Sequence, residues 1–380
     1  MTYSKKIYKK DSKGKVRMLH IRTEGADLIQ ESGLLDGKLT FHRSTCTPKN
    51  VGKANETTPE TQADFEARAK IQSKMSEGYF NTVEEAHDNV VILPMLAKDY
   101  KKESKKVVFP CYAQPKLDGQ RALGAKFTPM ISRKGKVIDT MEHIQKDLDT
   151  LALNRGIYID GELYAHGISF QENMKLIKKY RKGESEDIQF YVYDMVMDAP
   201  FKERYDTLSA LVLPFANIKL VPTVVINNEE DLKKVHAQYL AQGYEGTIVR
   251  HSDAPYGVNK RDSQLLKYKD FLDKVYRVID VIPSDKNPLQ GTVRCQLDIK
   301  KYFTLDGKGN VNKISDSNFS GATYDYPPFK CGMKFSHAER EEILANKYDY
   351  INSMSETRFF EYTDDGLPRF PVCYGFRNDK

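Results

Sequence analysis

The chain has 380 residues with 40% hydrophobic and 29% charged residues, the balance of an ordinary folded protein with room for two or three domains. No run of 18 apolar residues is present and the N-terminus "MTYSKKIYKKDSKGK" has no apolar stretch, so neither a transmembrane helix nor a secretory signal is expected. Cys46, Cys111, Cys295, Cys331 and Cys373 are scattered without a C-x-x-C pair, which argues against a zinc ribbon and for a reducing compartment, the cytoplasm.

The net charge of +6 is unevenly spread. Residues 1–22 hold eight Lys or Arg, among them Lys5, Lys6, Lys9 and Lys10, against Asp11. Such a segment suits a polyanion, and equally a lysine-protected strand edge. Residues 3–47 read as short strands, with "DSKG" and "LLDGKL" as turns. Thr58 caps a helix that starts at Pro59 and runs through about residue 76. Residues 1–90 are thus expected to form a small, mostly β domain. The lysine-rich stretch 94–110 reads as a polar link. Strands and helices then alternate, with strands at 107–114, 121–127, 157–164, 189–197 and 246–250. A helix at 230–243 stops at Gly243. From 272 the pattern is β again: "KVYRVIDVI" and "GTVRCQLDI" alternate, and Ser336 and Glu339 cap a single helix. Five or so strands with one helix suit a small closed barrel of the OB type. The domains expected are therefore 1–90, 91–271 and 272–380, in an α+β multidomain chain.

The stretch "YAQPKLDGQRALG" raises the chemical question. Lys116 follows a proline, Asp118 lies two residues on and Arg121 five. A lysine attacks only when neutral, so a nucleophilic Lys116 needs burial or neighbouring cations. Downstream, "SRKG" holds Arg133, "YIDGELY" Asp160 and Glu162, and "FYVYDMV" puts Tyr191 and Tyr193 on one strand face. "GYEGTIVR" holds Glu245 and Arg250, and "LLKYKD" holds Lys267 and Lys269. Each piece alone reads equally as a turn or an amphipathic strand. Together, in this order, they supply a lysine, carboxylates for a divalent metal and cations for phosphate.

The series resembles the covalent nucleotidyltransferases, which comprise DNA ligases, RNA ligases and mRNA capping enzymes. "KLDGQR", "SRKG", "DGELY", "FYVYDMV", "EGTIVR" and "LLKYK" are similar to that superfamily's motifs in sequence, and "LPRFPVCYGFRNDK" resembles the terminal motif of ATP-dependent DNA ligases. The details look most like ligases of bacteriophages and large DNA viruses. The resemblance implies a nucleotidyltransferase domain of ATP-grasp-like antiparallel sheets with helices, followed by an OB-fold barrel. It implies an enzyme that uses ATP with Mg²⁺ or Mn²⁺ to seal nicked duplex DNA, as a monomer in the cytoplasm (the host cell's, for a phage or viral protein). Lys116 would carry AMP. Gln114 would accept from the adenine amino group, Glu162 would bind the ribose and share the metal with Glu245, and Tyr193 would stack on adenine. Arg121 would contact the ribose or the nick phosphate, and Arg133 the 5′-phosphate. Arg250, Lys267 and Lys269 would grip phosphates. Arg377, Asp379 and Lys380 would orient pyrophosphate. The first 90 residues faintly resemble WGR-type modules, though without tryptophan, and would bind duplex DNA through Lys5, Lys6, Lys9 and Lys10. The alternatives are an RNA ligase, a capping guanylyltransferase, and a non-catalytic nucleic-acid-binding protein that keeps the fold; Lys116 and Glu245 speak against the last. An NAD-dependent ligase would need an added nicotinamide-recognition region and usually has a four-cysteine zinc site, which these cysteines do not form in sequence.

Overall fold

The computed structural model describes residues 3–11, 14–52, 54–75, 77–88, 92–154, 156–212, 215–285 and 287–377. It divides into two compact units, Met1–Lys269 and Asp270–Lys380.

The first unit begins with a four-stranded antiparallel meander, Ser4–Lys10, Val16–Glu24, Asp27–Leu34 and Leu39–Thr45. Alternation along these strands puts Ile7, Leu19, Ile21 and Leu28 on one face. The helix Pro59–Met75 covers that face with Ala63, Ala67 and Ile71. Thr58 caps the helix as its sequence predicts, its hydroxyl accepting from the Thr61 amide at 3.2 Å.

Two further sheets follow. A six-stranded sheet has the order Ile218–Leu220, Gln189–Met195, Tyr158–Tyr164, Gln120–Ala125, Thr128–Ser132, Val137–Ile138. Its core, around Ala122, Ile159, Phe190 and Val192, is closed by Ile144 and Leu148 of one helix, Leu176 of a second and Leu208 of a third. A five-stranded sheet has the order Val224–Ile226, Cys111–Lys116, Gly246–His251, Arg261–Tyr268, Leu96–Asp99. The helix Glu229–Ala241 packs on it through Leu232, with Asn228 as its cap.

The stretch expected to be a polar link is part of this second sheet. Leu96–Asp99 pairs parallel with Arg261–Tyr268, and Tyr100 is buried with its ring stacked on Tyr268 at 4.7 Å. Lys98 lies in the strand and the other lysines of this stretch follow it; Met95 and Tyr100 hold it in place. The strand expected at 107–114 begins only at Cys111, after Pro110, which has no amide hydrogen for a ladder.

The second unit is a closed five-stranded barrel. Around it run Leu272–Pro283, Gly291–Gln296, Pro328–Met333, Val372–Arg377 and Met354–Phe359, closing back on the first strand. The third and fourth of these are parallel; the other neighbours are antiparallel. The helix His337–Ala345 lies between the third strand and Met354–Phe359 in sequence and carries the Ser336/Glu339 capping box. A three-stranded sheet, Lys301–Leu305, Val311–Ser315 and Thr323–Asp325, is inserted between the second and third barrel strands, where sequence reading placed nothing. Among the described residues no helix is long and apolar enough to cross a membrane.

Candidate active site

Lys116 ends the strand Cys111–Lys116, and in the antiparallel register it faces Gly246. The Glu245 amide donates to the Lys116 carbonyl at 2.9 Å, which locks the two chain segments together at this point. Glycine is required beside it. Gly246 has φ +147°, and a Cβ there would sit 2.3 Å from the Tyr268 carbonyl oxygen. The result is a lysine and a glutamate side by side. The Glu245 carboxylate accepts from the Lys116 ammonium on one oxygen and the Lys269 ammonium on the other. Glu245 retains 4% side-chain exposure, whereas Lys116 keeps 21% and so remains open to a substrate.

Lys116 and Lys269 line a cavity of about 280 Å³. Gln114, Arg121, Arg133, Glu162, Tyr193, Arg250 and Lys267 also line it, so eight of the residues singled out in the sequence converge there with Lys116. Arg261, which the sequence reading did not select, contributes from the strand that bears Lys267. A groove of about 600 Å³ shares Arg121, Arg133 and Glu162 with the cavity. Lys134, Lys136 and Lys178 line it, as do Ser73 and Glu77 at the end of the N-terminal helix and just beyond.

The electrostatics follow from packing cations around few carboxylates. Burial raises the Glu162 carboxyl to about 7, against the opposing pull of Lys116 and Arg121. Burial lowers Lys267, and the neighbouring charge of Lys116 lowers it further. Burial likewise lowers Arg133, reinforced by Arg121 and Arg261. The cavity is therefore a cationic, partly desolvated pocket in which an anionic ligand replaces repulsion with attraction.

Three residues sit differently from the roles expected of them. Arg250 does not point a bare guanidinium into the cavity: it donates to Asp194 at 2.6 Å and to the Gln114 side-chain oxygen at 2.7 Å, and it is buried. Gln114 is held in turn, its amide nitrogen donating to the Tyr193 carbonyl at 3.2 Å and to the Thr223 hydroxyl at 2.8 Å. Its oxygen already accepts from Arg250, so the amide is oriented by protein before any adenine arrives. Arg121 is paired to the fully buried Asp160, its Nε donating at 2.9 Å. Asp160 also accepts from the Tyr256 hydroxyl at 2.6 Å.

Asp160, which the sequence reading named as a carboxylate without a role, and Asp194 and Tyr256, which it did not name, are thus positioning residues. A signal existed for Asp194: it falls in alternation with the buried Phe190 and Val192, and a carboxylate at such a position needs a cationic partner; a bulge in the pairing then turns it to the face of Asp160. Its second partner, Arg204, donates to it at 2.7 Å and is 1% exposed.

Of the remaining candidates, Lys5, Lys6, Lys9 and Lys10 lie on the first strand but on alternate faces. Lys9, on the core side, donates to the Glu77 carbonyl at 2.6 Å. Arg377 ends a barrel strand in the second unit and pairs with Glu356. Asp379 and Lys380 lie outside the described residues.

Residues 94–269, which contain every element of the cavity, match the family model described as ATP dependent DNA ligase domain. A DNA ligase of Haemophilus influenzae is 31% identical over 261 residues, which cover 65% of this chain and 83% of that one. The chain belongs to the ATP-dependent DNA ligase family. A DNA ligase of African swine fever virus is 29% identical over 289 residues, and the chain spans 66% of the length of that relative. This bears out the likeness to ligases of large DNA viruses. The fold agrees: a solved Lig E DNA ligase superposes with a TM-score of 0.57 at 21% identity, covering 76% of this chain and all of that one.

ATP fits what the cavity offers, since cations surround an accessible lysine next to an aromatic ring, Tyr193. A divalent metal also fits. Among the described residues no group of three metal-ligating side chains occurs, and a small hard cation commonly takes one or two carboxylates and completes its shell with phosphate oxygens and water. Glu245 and Glu162 are the carboxylates that would hold it, and it would neutralise phosphate charge during transfer.

Proposed function

We propose that this protein seals nicks between a 5′-phosphate and a 3′-hydroxyl in duplex DNA, using ATP and Mg²⁺ or Mn²⁺, through a lysyl-AMP intermediate on Lys116. The observation that carries this reading is the partly open Lys116 held by Glu245 in a cationic cavity, within a chain of the DNA ligase family.

The chemistry is three displacements at phosphorus. The Lys116 amine attacks the α-phosphate of ATP, forming a P–N bond as pyrophosphate leaves. The 5′-phosphate of the nick then attacks the lysyl-AMP phosphorus and frees Lys116. Finally the 3′-hydroxyl attacks the activated 5′-phosphate, and AMP leaves. Lys116 must be deprotonated for the first step. Glu245 lies at hydrogen-bond contact to accept that proton or relay it, and Lys267 lies close enough for its charge to interact with that of Lys116. Most of the remaining catalysis is positioning and charge neutralisation. Tyr193 offers a ring to adenine, while Glu162, whose carboxyl titrates near neutrality, can either donate to or accept from the ribose. Lys267 and Lys269 meet the phosphates, and Arg133 meets the 5′-phosphate where the cavity opens into the groove.

The groove supports a DNA path that leads from Arg133 past Lys134 and Lys136 to the N-terminal module. We assign residues 1–90 to duplex binding through backbone phosphates, with Lys6 and Lys10 on the outward strand face as the contacts. The strand order and the single parallel pair of the barrel support an OB-type domain at 272–380 that closes over nucleotide or DNA, bringing Arg377 to pyrophosphate. The enzyme acts as a monomer in the cytoplasm.

The test is sealing of a 5′-phosphorylated nicked DNA duplex with ATP and Mg²⁺, with a nicked RNA duplex alongside. Sealed DNA with little sealed RNA is expected. Sealed RNA alone moves the protein to an RNA-ligase activity, and sealing of neither with GMP taken up on Lys116 moves it to capping.

A further inference from the structure

The inserted three-stranded sheet of the second unit has two unlike faces. Phe303 and Ile314 face each other across the strand pair and join the barrel core. The opposite face carries Tyr302, Thr304, Lys313, Ser315 and Tyr324 by alternation and register. Closing the barrel needs none of these five. Tyr302 and Tyr324 lie directly opposite each other, with ring centroids 4.7 Å apart and Tyr324 56% exposed.

The charges around this face are sorted. The Lys313 ammonium lies 4.2 Å from the Phe319 ring, and the Lys300 ammonium 5.3 Å from the ring of exposed Tyr326. The carboxylates of the insertion are engaged elsewhere. Asp298 pairs with Lys274 at 2.7 Å and Asp316 with Lys301 at 3.1 Å. Asp306 accepts from two backbone amides of its own turn, and Asp325 alternates onto the barrel-side face. Exposed aromatic rings flanked by ammonium groups, with no carboxylate among the five outward residues, match a strand that alternates π-faces with phosphates.

We infer that this outer face of the inserted sheet binds single-stranded DNA, with unpaired bases stacking on Tyr324 and Tyr302 and phosphates meeting Lys313 and Lys300. A paired base has both faces covered by its neighbours, so an intact duplex has nothing to offer these rings. The partner is DNA with overhanging bases beside the break. The inference rests on the DNA-ligase reading, and it adds a preference: cohesive ends are joined better than blunt ends because the overhang is held.

The chain contains no tryptophan, so Tyr324→Trp introduces a single fluorescent reporter on the face itself. Titration of the full-length variant with an oligothymidylate should quench this tryptophan, while a blunt, unnicked duplex at equal nucleotide concentration should not. The paired variant Tyr302→Ala/Tyr324→Ala should bind the oligothymidylate about tenfold more weakly. It should lose a comparable factor in joining cohesive ends, yet seal nicks at the parental rate. Absence of quenching by single strands, or equal quenching by blunt duplex, overturns the stacking site. Unchanged cohesive-end joining in the paired variant overturns the preference. Normal nick sealing in either variant shows that it has folded, and a parental protein that seals no DNA would defeat the ligase reading instead.

Discussion

Replacing Asp194 by asparagine removes the carboxylate that faces two buried guanidiniums. Asp194 is fully buried; it accepts from Arg204 Nε at 2.7 Å, from Arg250 at 2.6 Å and from the Met195 amide at 2.8 Å. Asparagine keeps the shape but supplies one neutral acceptor oxygen, and its amide group meets cations. Breaking one partner of a buried pair costs about 3–5 kcal/mol because the survivor is left uncompensated. Here two cations survive. Arg204 retains the Ala199 and Ala254 carbonyls, and Arg250 retains the Gln114 oxygen, which hold the cost near the middle of that range, roughly 4 kcal/mol. In a unit of this size that lowers Tm by about 8–15 °C. Differential scanning calorimetry of the full chain reads it directly, and the transition of the barrel unit should stay in place. A second consequence is functional. Arg250 orients Gln114, so ATP should bind the variant more weakly at a temperature where it remains folded. A loss below about 1 kcal/mol with unchanged ATP affinity would refute the claim that Asp194 anchors this side of the cavity.

Other outcomes follow from the same geometry. The Glu162 carboxyl titrates near 4.5 unfolded and about 7 folded, so its contribution to stability is fully present below pH 4.5 and is lost as pH rises through 7. Glu162→Gln should therefore flatten the stability profile across that window and stabilise the chain at pH 8, by about 1–2 kcal/mol after allowing for solvent in the cavity. Chemical denaturation at several pH values checks this, and an unaltered slope contradicts it. Gly246→Ala must move the Tyr268 carbonyl or unseat Glu245, so AMP transfer to Lys116 should fall at least about tenfold even in folded protein, as read by radiolabelled ATP. Lys6→Ala combined with Lys10→Ala should weaken duplex binding and reduce the slope of log affinity against log salt by about 1–2, without changing self-adenylylation. An unchanged slope would leave the N-terminal sheet as a purely structural appendage.

The residues assigned to substrate in this proposal were legible because their chemistry is local. Lys116, Glu162, Glu245, Lys267 and Lys269 each lie in a short strand-and-turn signature; four of them line one cavity, and Glu245 is paired with two of those four. The residues that hold them were harder to see. Asp160 finds Arg121 across a strand pair, and Asp194 finds Arg204 on a helix and Arg250 on another sheet. Such partnerships are set by tertiary packing, and a lone carboxylate in a strand does not announce its cation. The same limit explains Arg250, which reads as a phosphate ligand by charge and sits as a buried brace by position. In the barrel, alternation showed the first two strands and the capping box showed the helix. The inserted sheet was missed because its strands are short and its outer face mixes tyrosine with lysine and hydroxyl residues, which blurs the period-two pattern.

The central claim is that Lys116 is the nucleophile. Incubation of the purified protein with ATP and Mg²⁺, followed by proteolysis and mass spectrometry, should find one adenylyl group on the peptide containing Lys116. The adduct should be acid-labile, as a P–N bond requires, and absent from Lys116→Ala. An adenylyl group on another residue, or an adduct of normal yield in Lys116→Ala, would contradict the account.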